Sequence, residues 1–275
     1  MSKNLFLLSL VFIILAGAVL QADALTYWWY AQMSNNNFWS ASTTSANAPT
    51  SWTNRAGLGY ECRGLTVGPD GTVFVVTSES NGRIIKSTNN GASWTTVGYC
   101  GYRGRGMATQ KDGTMYVVGE NSRLYKSTNK GVSWSNINST PWTPRGIATG
   151  SNDYLYVVTE HGSGHFYTST NDGSSWAYSG VLNWDRATEV VNYWDPIVCS
   201  PTNGYVYVIQ ERTDSRISRS TNNGQTYDNW TTISWGPRGF GMNKAGYAAT
   251  FQRTSSRDNS GLMYRGHEAS MGEVN

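Results

Sequence analysis

An arginine followed by glycine recurs at Arg63-Gly64, Arg105-Gly106, Arg145-Gly146 and Arg238-Gly239, and Asp195-Pro196 stands at a fifth corresponding place. Guanidinium groups converging on one point grip a carboxylate or another anion through paired, charge-assisted hydrogen bonds. These arginines also have acidic neighbours at a similar offset. Glu79, Glu120 and Glu160 end the apolar segments that follow Arg63, Arg105 and Arg145, and where Asp195 replaces the arginine the same place holds Glu211-Arg212, as though the charges were exchanged. Cross-strand pairing of each arginine with the glutamate of its own repeat explains most of the set without a ligand. Arg238 is the exception, because Gln252-Arg253 stand where the glutamates do. Arg238 and Arg253 are therefore the first candidates for holding an acidic ligand.

The second candidate site is the segment between Ala177 and Asp195, which carries Trp184, Asp185, Arg186, Glu189, Tyr193, Trp194 and Asp195. A pyranose ring stacks on an aromatic face while its hydroxyls take directed hydrogen bonds, so aromatics interleaved with polar groups suit sugar recognition. Tyr102, Trp142 and Trp235 occupy comparable connections elsewhere. Packing between repeats is the competing use of the same side chains. The candidate ligand-binding set is Trp184, Asp185, Arg186, Tyr193, Trp194, Asp195, Trp235, Arg238 and Arg253.

Catalysis has a weaker basis. A glycosidase needs two carboxylates, roughly 5 Å apart if retaining and roughly 6.5–9.5 Å if inverting, and Asp185, Glu189, Asp195 and Glu211 are the available acids. No nucleophile elbow or phosphate-cradling glycine loop occurs. His161, His165 and His267 lack partners at metal-ligand spacing and read as solvated loop histidines. Neither a catalytic residue, a metal nor a cofactor is assigned.

What must position these groups is a repeat. Four segments align without gaps, beginning at Ser87, Ser127, Ser169 and Ser220 and ending at Trp94, Trp134, Trp176 and Tyr227, each with the pattern Ser-Thr-Asn-x-Gly-x-Ser/Thr-Trp/Tyr. A degenerate copy runs from Ser45 to Trp52 with Pro49 in place of glycine. Successive copies are 42, 40, 42 and 51 residues apart, the length of one propeller blade. Each repeat reads as four strands. In one, these are Gly106 to Gln110, Met115 to Gly119, Arg123 to Ser127 and Ser133 to Ile137, with Asp112-Gly113 at the first hairpin; Asp70-Gly71 and Asn203-Gly204 mark the same turn elsewhere.

These boxes resemble the Asp-box (BNR) motif, Ser-x-Asp-x-Gly-x-x-Trp, of sialidases, other glycosidases and many non-catalytic propellers. They depart from it by carrying Asn at the third position in every copy (Asn47, Asn89, Asn129, Asn171 and Asn222). Asparagine still bonds the turn backbone, so the hairpin is expected to form. The resemblance implies an all-β propeller of four-stranded blades of about 42 residues, with ligands bound where each outer strand crosses to the next inner one. It also implies what a sialidase should show and this chain does not, namely an Arg-Ile-Pro motif and an assignable Tyr/Glu nucleophile pair.

The ends are less regular. Leu25 to Asn54 supplies strands two to four of a blade, and Arg238 to Arg265 supplies strands one to three. Merging them closes a five-bladed ring, and keeping them apart makes six; the length of the chain favours six. Lys3, the apolar run Leu5 to Leu20 and Ala22-Asp23-Ala24 read as an export signal over residues 1–24, leaving 25–275 as a single propeller domain. That run is shorter than the ~20 residues a membrane span requires, and no later segment is apolar enough to span.

Composition agrees, with 30 Gly, 12 Trp, 17 Tyr and only 14% charged residues, the profile of a turn-rich, aromatic-rich β protein. A net charge of +3 is too diffuse for nucleic acid to be the partner. Cys62 and Cys100 fall in corresponding connections and could pair in an oxidising compartment, whereas Cys199 reads as a buried, inert thiol. Asn138-Ser139-Thr140 and Asn229-Trp230-Thr231 are glycosylation sequons. The expected function is secreted, extracellular carbohydrate recognition of a glycan or glycoconjugate. The alternatives are a sialidase-like hydrolase and a scaffold that binds protein at the cell surface.

Overall fold

The computed structural model describes residues 4–5, 17–21, 24–32, 36–44, 49, 51–160, 164–181, 196–210, 216–232, 237–242, 246–252, 263–267 and 270–274. Every regular element among them is a β-strand, and the sheets are antiparallel meanders in chain order. Five four-stranded sheets form the blades of a propeller. Blade 1 comprises Cys62–Val67, Val73–Thr77, Arg83–Ser87 and Thr95–Tyr99. Blade 2 comprises Gly104–Thr109, Met115–Gly119, Arg123–Ser127 and Ser135–Ser139. Blade 3 comprises Pro144–Thr149, Leu155–Thr159, His165–Ser169 and Ala177–Val181. Blade 4 comprises Ile197–Cys199, Val206–Gln210, Arg216–Ser220 and Asp228–Thr232. Blade 5 comprises Pro237–Met242, Tyr247–Gln252, Met263–His267 and Ser270–Val274.

The two ends of the chain do not merge. A separate five-stranded sheet holds Asn4–Leu5, Gly17–Gln21, Ala24–Gln32, Asn37–Thr43 and Thr53–Gly57. It flanks blade 1 as the blades flank one another, with Phe38 edge-on to Trp94 at 4.7 Å just as Phe166 of blade 3 stacks on Tyr227 of blade 4 at 3.9 Å. Gly17–Gln21 lies inside the expected leader and pairs with Ala24–Gln32, an arrangement of the uncleaved chain.

Second strands such as Val73-Phe-Val-Val-Thr77 and Leu155-Tyr-Val-Val-Thr159 are buried at every position because neighbouring blades cover both faces. Their β-branched and aromatic residues suit that pleated, two-sided contact. The fourth strands are polar and mostly exposed, as outer edges should be. The hydrophobic core is accordingly divided into clusters lying between blades, such as Val76, Ile84, Met107 and Val117 between blades 1 and 2. One cluster gathers Trp29 and Phe38 of the first sheet, Leu65 of blade 1, Tyr207 of blade 4 and Phe240 of blade 5, so the two ends of the chain share a core.

The middle two strands expected of blade 2 coincide with those observed, while the inner strand begins earlier and the outer one later. A β-bulge at Arg105 extends the first. At the outer strand, Ser133 is still held inside the turn, its N–H donating to Asn129 Oδ1 at 2.9 Å.

The box turn explains the third-position asparagine. Ser87 Oγ donates to Asn89 Oδ1 at 2.9 Å and accepts from Gly91 N at 2.8 Å; Asn89 Oδ1 takes the Ser93 N–H at 2.9 Å, and Asn89 Nδ2 donates to Ser93 Oγ at 2.8 Å. The same amide-to-hydroxyl bond recurs from Asn129, Asn171 and Asn222 to Ser133, Ser175 and Thr226. The fourth box residue, left-handed in all four copies (φ 56–58°), latches each blade to the one before. Asn90 accepts from Tyr30 Oη at 2.7 Å, Asp172 from Tyr116 Oη at 3.0 Å, and Asn223 from Asn152 Nδ2 at 3.1 Å. Lys130 pairs with Asp70 at 2.7 Å.

Candidate functional site

The face on which outer strands cross to the next inner strands holds the Arg-Gly repeat. Arg63, Arg105 and Arg145 each occupy a bulge in the inner strand, between Cys62 and Gly64, Gly104 and Gly106, and Pro144 and Gly146. The glycine that follows has a steric cause. A Cβ on Gly64 would stand 2.7 Å from Met107 N and 2.8 Å from Gly106 C, so the inner strands of blades 1 and 2 approach too closely for any other residue.

The arginine side chains are only 8, 10 and 9% exposed, and a guanidinium so buried requires a counter-charge. That charge does not come from each blade's own glutamate alone, which corrects the sequence expectation. Arg63 pairs with Glu61 at 3.2 Å and with Glu120 of blade 2. Arg105 pairs with Glu160 of blade 3 at 2.7 Å and with its own Glu120 at 3.4 Å; Arg145 pairs with its own Glu160 at 3.0 Å. Glu79 pairs instead with Arg83 at 2.7 Å. The reason is register. Glu120 and Glu160 directly follow their second strands and donate N–H to Arg103 O and Thr143 O, whereas in blade 1 that place belongs to Ser78, which donates to Glu61 O. Glu79 is one residue further on and turns toward the third strand.

The result is an alternating ladder, Glu61–Arg63–Glu120–Arg105–Glu160–Arg145, across three blades, with the more exposed Arg103 also 3.9 Å from Glu120. It joins blades and compensates the three buried arginines. Arg238 stands at the corresponding bulge of blade 5, between the pairs Pro237–Gln252 and Phe240–Thr250, and its side chain lies outside the described residues. So do Trp184, Asp185, Arg186, Glu189, Tyr193, Trp194, Asp195, Glu211, Trp235 and Arg253. The ligand set proposed from sequence is thus located only by the strands that flank it, with residues 182–195 running from Val181 to the inner strand of blade 4.

The same face carries a second repeated feature, an aromatic three residues ahead of the bulge arginine. Tyr60, Tyr102 and Trp142 precede Arg63, Arg105 and Arg145, and Trp235 precedes Arg238 in sequence. Tyr102 and Trp142 are exposed. The face of Tyr60 is covered by the Arg83 guanidinium at 4.3 Å. His165, read from sequence as a loop residue, opens the third strand of blade 3 opposite Val181, as Arg83 does opposite Tyr99 and Arg123 opposite Ser139. Setting the repeats side by side at that column would have found it.

Cys62, Cys100 and Cys199 are buried and in no disulfide. Cys100 directly follows the outer strand of blade 1 while Cys62 opens that blade's inner strand, so the two do not occupy equivalent places. Burial raises all three thiols, Cys100 to about 11 and Cys199 to about 12, which suppresses the reactive thiolate. Among the described residues no group of three or more His, Cys, Asp or Glu is placed to hold a metal, and no helix is long and apolar enough to cross a membrane. Asn138 Nδ2 of the first sequon donates to Gly173 O at 2.7 Å and Ser174 O at 3.0 Å, a contact between blades.

No protein-family model matches the chain, and no curated protein sequence matches it. Solved structures do. Virginiamycin B lyase from Staphylococcus aureus is 14% identical with a TM-score of 0.54, covering 92% of each chain. TolB from Acinetobacter baumannii is 10% identical with a TM-score of 0.61, covering 88% of this chain and 61% of that one. YCF48 from Cyanidioschyzon merolae is 14% identical with a TM-score of 0.48, covering 79% of this chain and 73% of that one. The similarity is one of fold, the β-propeller.

Proposed function

We propose that the chain is an exported, non-catalytic recognition propeller of Asp-box type, and that it binds a glycan on the face of the inter-blade connections. The observation that carries this reading is the aromatic recurring three residues before each bulge arginine, exposed at Tyr102 and Trp142. Aromatic faces beside hydrogen-bonding groups on a rigid scaffold suit a pyranose. The carboxylates Glu120 and Glu160 are bound between buried arginines, which favours a structural role for them over the acid and base work of hydrolysis. Binding of the full chain to a glycan array, reduced in a Trp184→Ala/Trp194→Ala double variant, is the expected result. Failure to bind any glycan refutes the reading, and turnover of a fluorogenic glycoside, abolished at Asp185 or Glu211, would replace it with hydrolysis.

A protein-binding scaffold has one observation in its favour. Tyr99, Ile137, Tyr178 and Val181 leave apolar surface exposed along the outer strands of three consecutive blades.

A further inference from the structure

The two sequons lie on the outer strands of different blades, Asn138 in Ser135–Ser139 and Asn229 in Asp228–Thr232. Each outer strand is bulged against its third strand, and the pairs on either side of the bulge define two columns. Asn138 stands opposite Leu124, in the column that also holds Gly98, Gly180 and Thr231. In blades 1 and 2 that column meets the next blade. A Cβ on Gly98 would stand 2.4 Å from Gly131 O of the following box turn. Asn138 reaches the following box turn with its amide, Nδ2 donating to Gly173 O at 2.7 Å and to Ser174 O at 3.0 Å.

Asn229 belongs to the other column. It stands opposite Ser218, as Thr96 stands opposite Ile85, Asn136 opposite Tyr125 and Tyr178 opposite Tyr167. All four of these outer-strand residues are exposed. The next residue, Trp230, turns inward. Its ring is edge-on to Tyr207 at 5.2 Å, and it packs against the core cluster shared by the two ends of the chain. Anchored by that indole, the strand presents Asn229 to solvent, with the sequon's Thr231 two residues on.

We infer that Asn229 is an N-glycan acceptor and that Asn138 is not. This rests on the export part of the reading above, because the sugar donor belongs to a secretory compartment. In the transfer, Asn229 Nδ2 attacks the anomeric carbon of a lipid-diphosphate-linked oligosaccharide. The N–C bond forms as the C–O bond to the diphosphate breaks, the lipid diphosphate leaves with the electron pair, and Nδ2 gives up one proton to the medium. At Asn229 the product extends into solvent from an outer edge, where a bulky hydrophilic group also shields the strand from pairing with another chain. At Asn138 the same step consumes one of the two amide hydrogens that serve Gly173 O and Ser174 O. It also sets a sugar in the seam between blades 2 and 3, so a chain modified there loses the contact that seats one blade on the other.

The test is expression of the full chain in insect cells, once with its own N-terminus and once behind a leader of the host. Peptide-N-glycosidase digestion in heavy-oxygen water, followed by peptide mapping, marks each occupied asparagine. The secreted, folded protein is expected to carry one glycan, with the label at Asn229 and none at Asn138. Asn229→Gln and Thr231→Ala should each abolish the mobility shift on digestion. Thr231→Ser should retain it, and Asn138→Gln should leave it unchanged while lowering Tm. Label at Asn138 in secreted protein that melts cooperatively overturns the assignment, and so does secreted protein that bears no glycan. Secretion only behind the host leader refutes the export reading, while the label on that protein still decides between the two asparagines.

Discussion

Replacing Glu120 by Gln removes the one carboxylate that lies against both Arg63 and Arg105. Arg63 keeps Glu61 and Arg105 keeps Glu160, so neither is left fully uncompensated, and the exposed Arg103 loses its contact with Glu120 as well. Breaking a buried ion pair outright costs about 3–5 kcal/mol, and the retained partners together with the partial exposure of Glu120 lower the expectation to about 2–3 kcal/mol. For a chain of this size that is a fall in Tm of roughly 4–12 °C. The decisive measurement is a double-mutant cycle by urea denaturation. Arg63→Met with Glu120→Gln should give a coupling of about 1–2 kcal/mol, within the range for residues in one ion-pair network, while Arg63→Met with Glu79→Gln should add to within about 0.5 kcal/mol. A larger coupling to Glu79 than to Glu120 refutes the inter-blade ladder and restores pairing within each blade.

Asn89→Asp should change stability by less than about 0.5 kcal/mol, because a carboxylate still accepts from Ser93 N and Ser87 Oγ, and Ser93 Oγ can turn from acceptor to donor; Asn89→Ala removes all three bonds and should cost about 1–2 kcal/mol. Both are read from thermal melts, and equal effects refute the assigned bonding. Asp70 and Asp172 lie below the ordinary carboxylate range: burial raises them, but hydrogen bonds from Lys130 and Thr72 to Asp70, and from Lys126 and Tyr116 to Asp172, more than offset it. Their stabilisation is therefore complete above pH ~4 and lost as pH falls through the depressed folded values. The Tm gap between wild type and Asp70→Asn, a matter of about 0.2–1 kcal/mol for so exposed a pair, should close between pH 5 and pH 2; a gap that persists at pH 2 refutes the assignment. Lys130→Asn should lose about as much, and adding Phe74→Tyr should restore it by recreating the latch of Tyr30 with Asn90. Additivity of those two changes in melting experiments counts against the latch.

That last pair shows where sequence reading stops. The blade repeat was legible because a turn imposes local demands: Ser, Asn and Gly answer to atoms within four residues of themselves, so the box recurs intact in four copies and its spacing reveals the fold. The bulge arginines were legible as a set for the same reason, and their glycines too, since a close approach of neighbouring strands excludes every Cβ. Partners were not. Arg63 meets a glutamate 57 residues away, and Glu79 is not its partner because the register of blade 1 puts Ser78 where blade 2 puts Glu120, a difference of one residue that no pattern of charge alone discloses. Contacts between blades are nevertheless written in the sequence as exchanges between columns. Tyr at the second position of the second strand, as at Tyr116 and Tyr156, accompanies Asn or Asp at the fourth box position, whereas Phe74 accompanies Lys130 and Asp70. Arg at the start of the third strand accompanies Tyr60 and Tyr102 in the preceding connection, whereas His165 accompanies Trp142. Both are readable only once blades are compared as neighbours around a ring, each copy being fitted to the one before it.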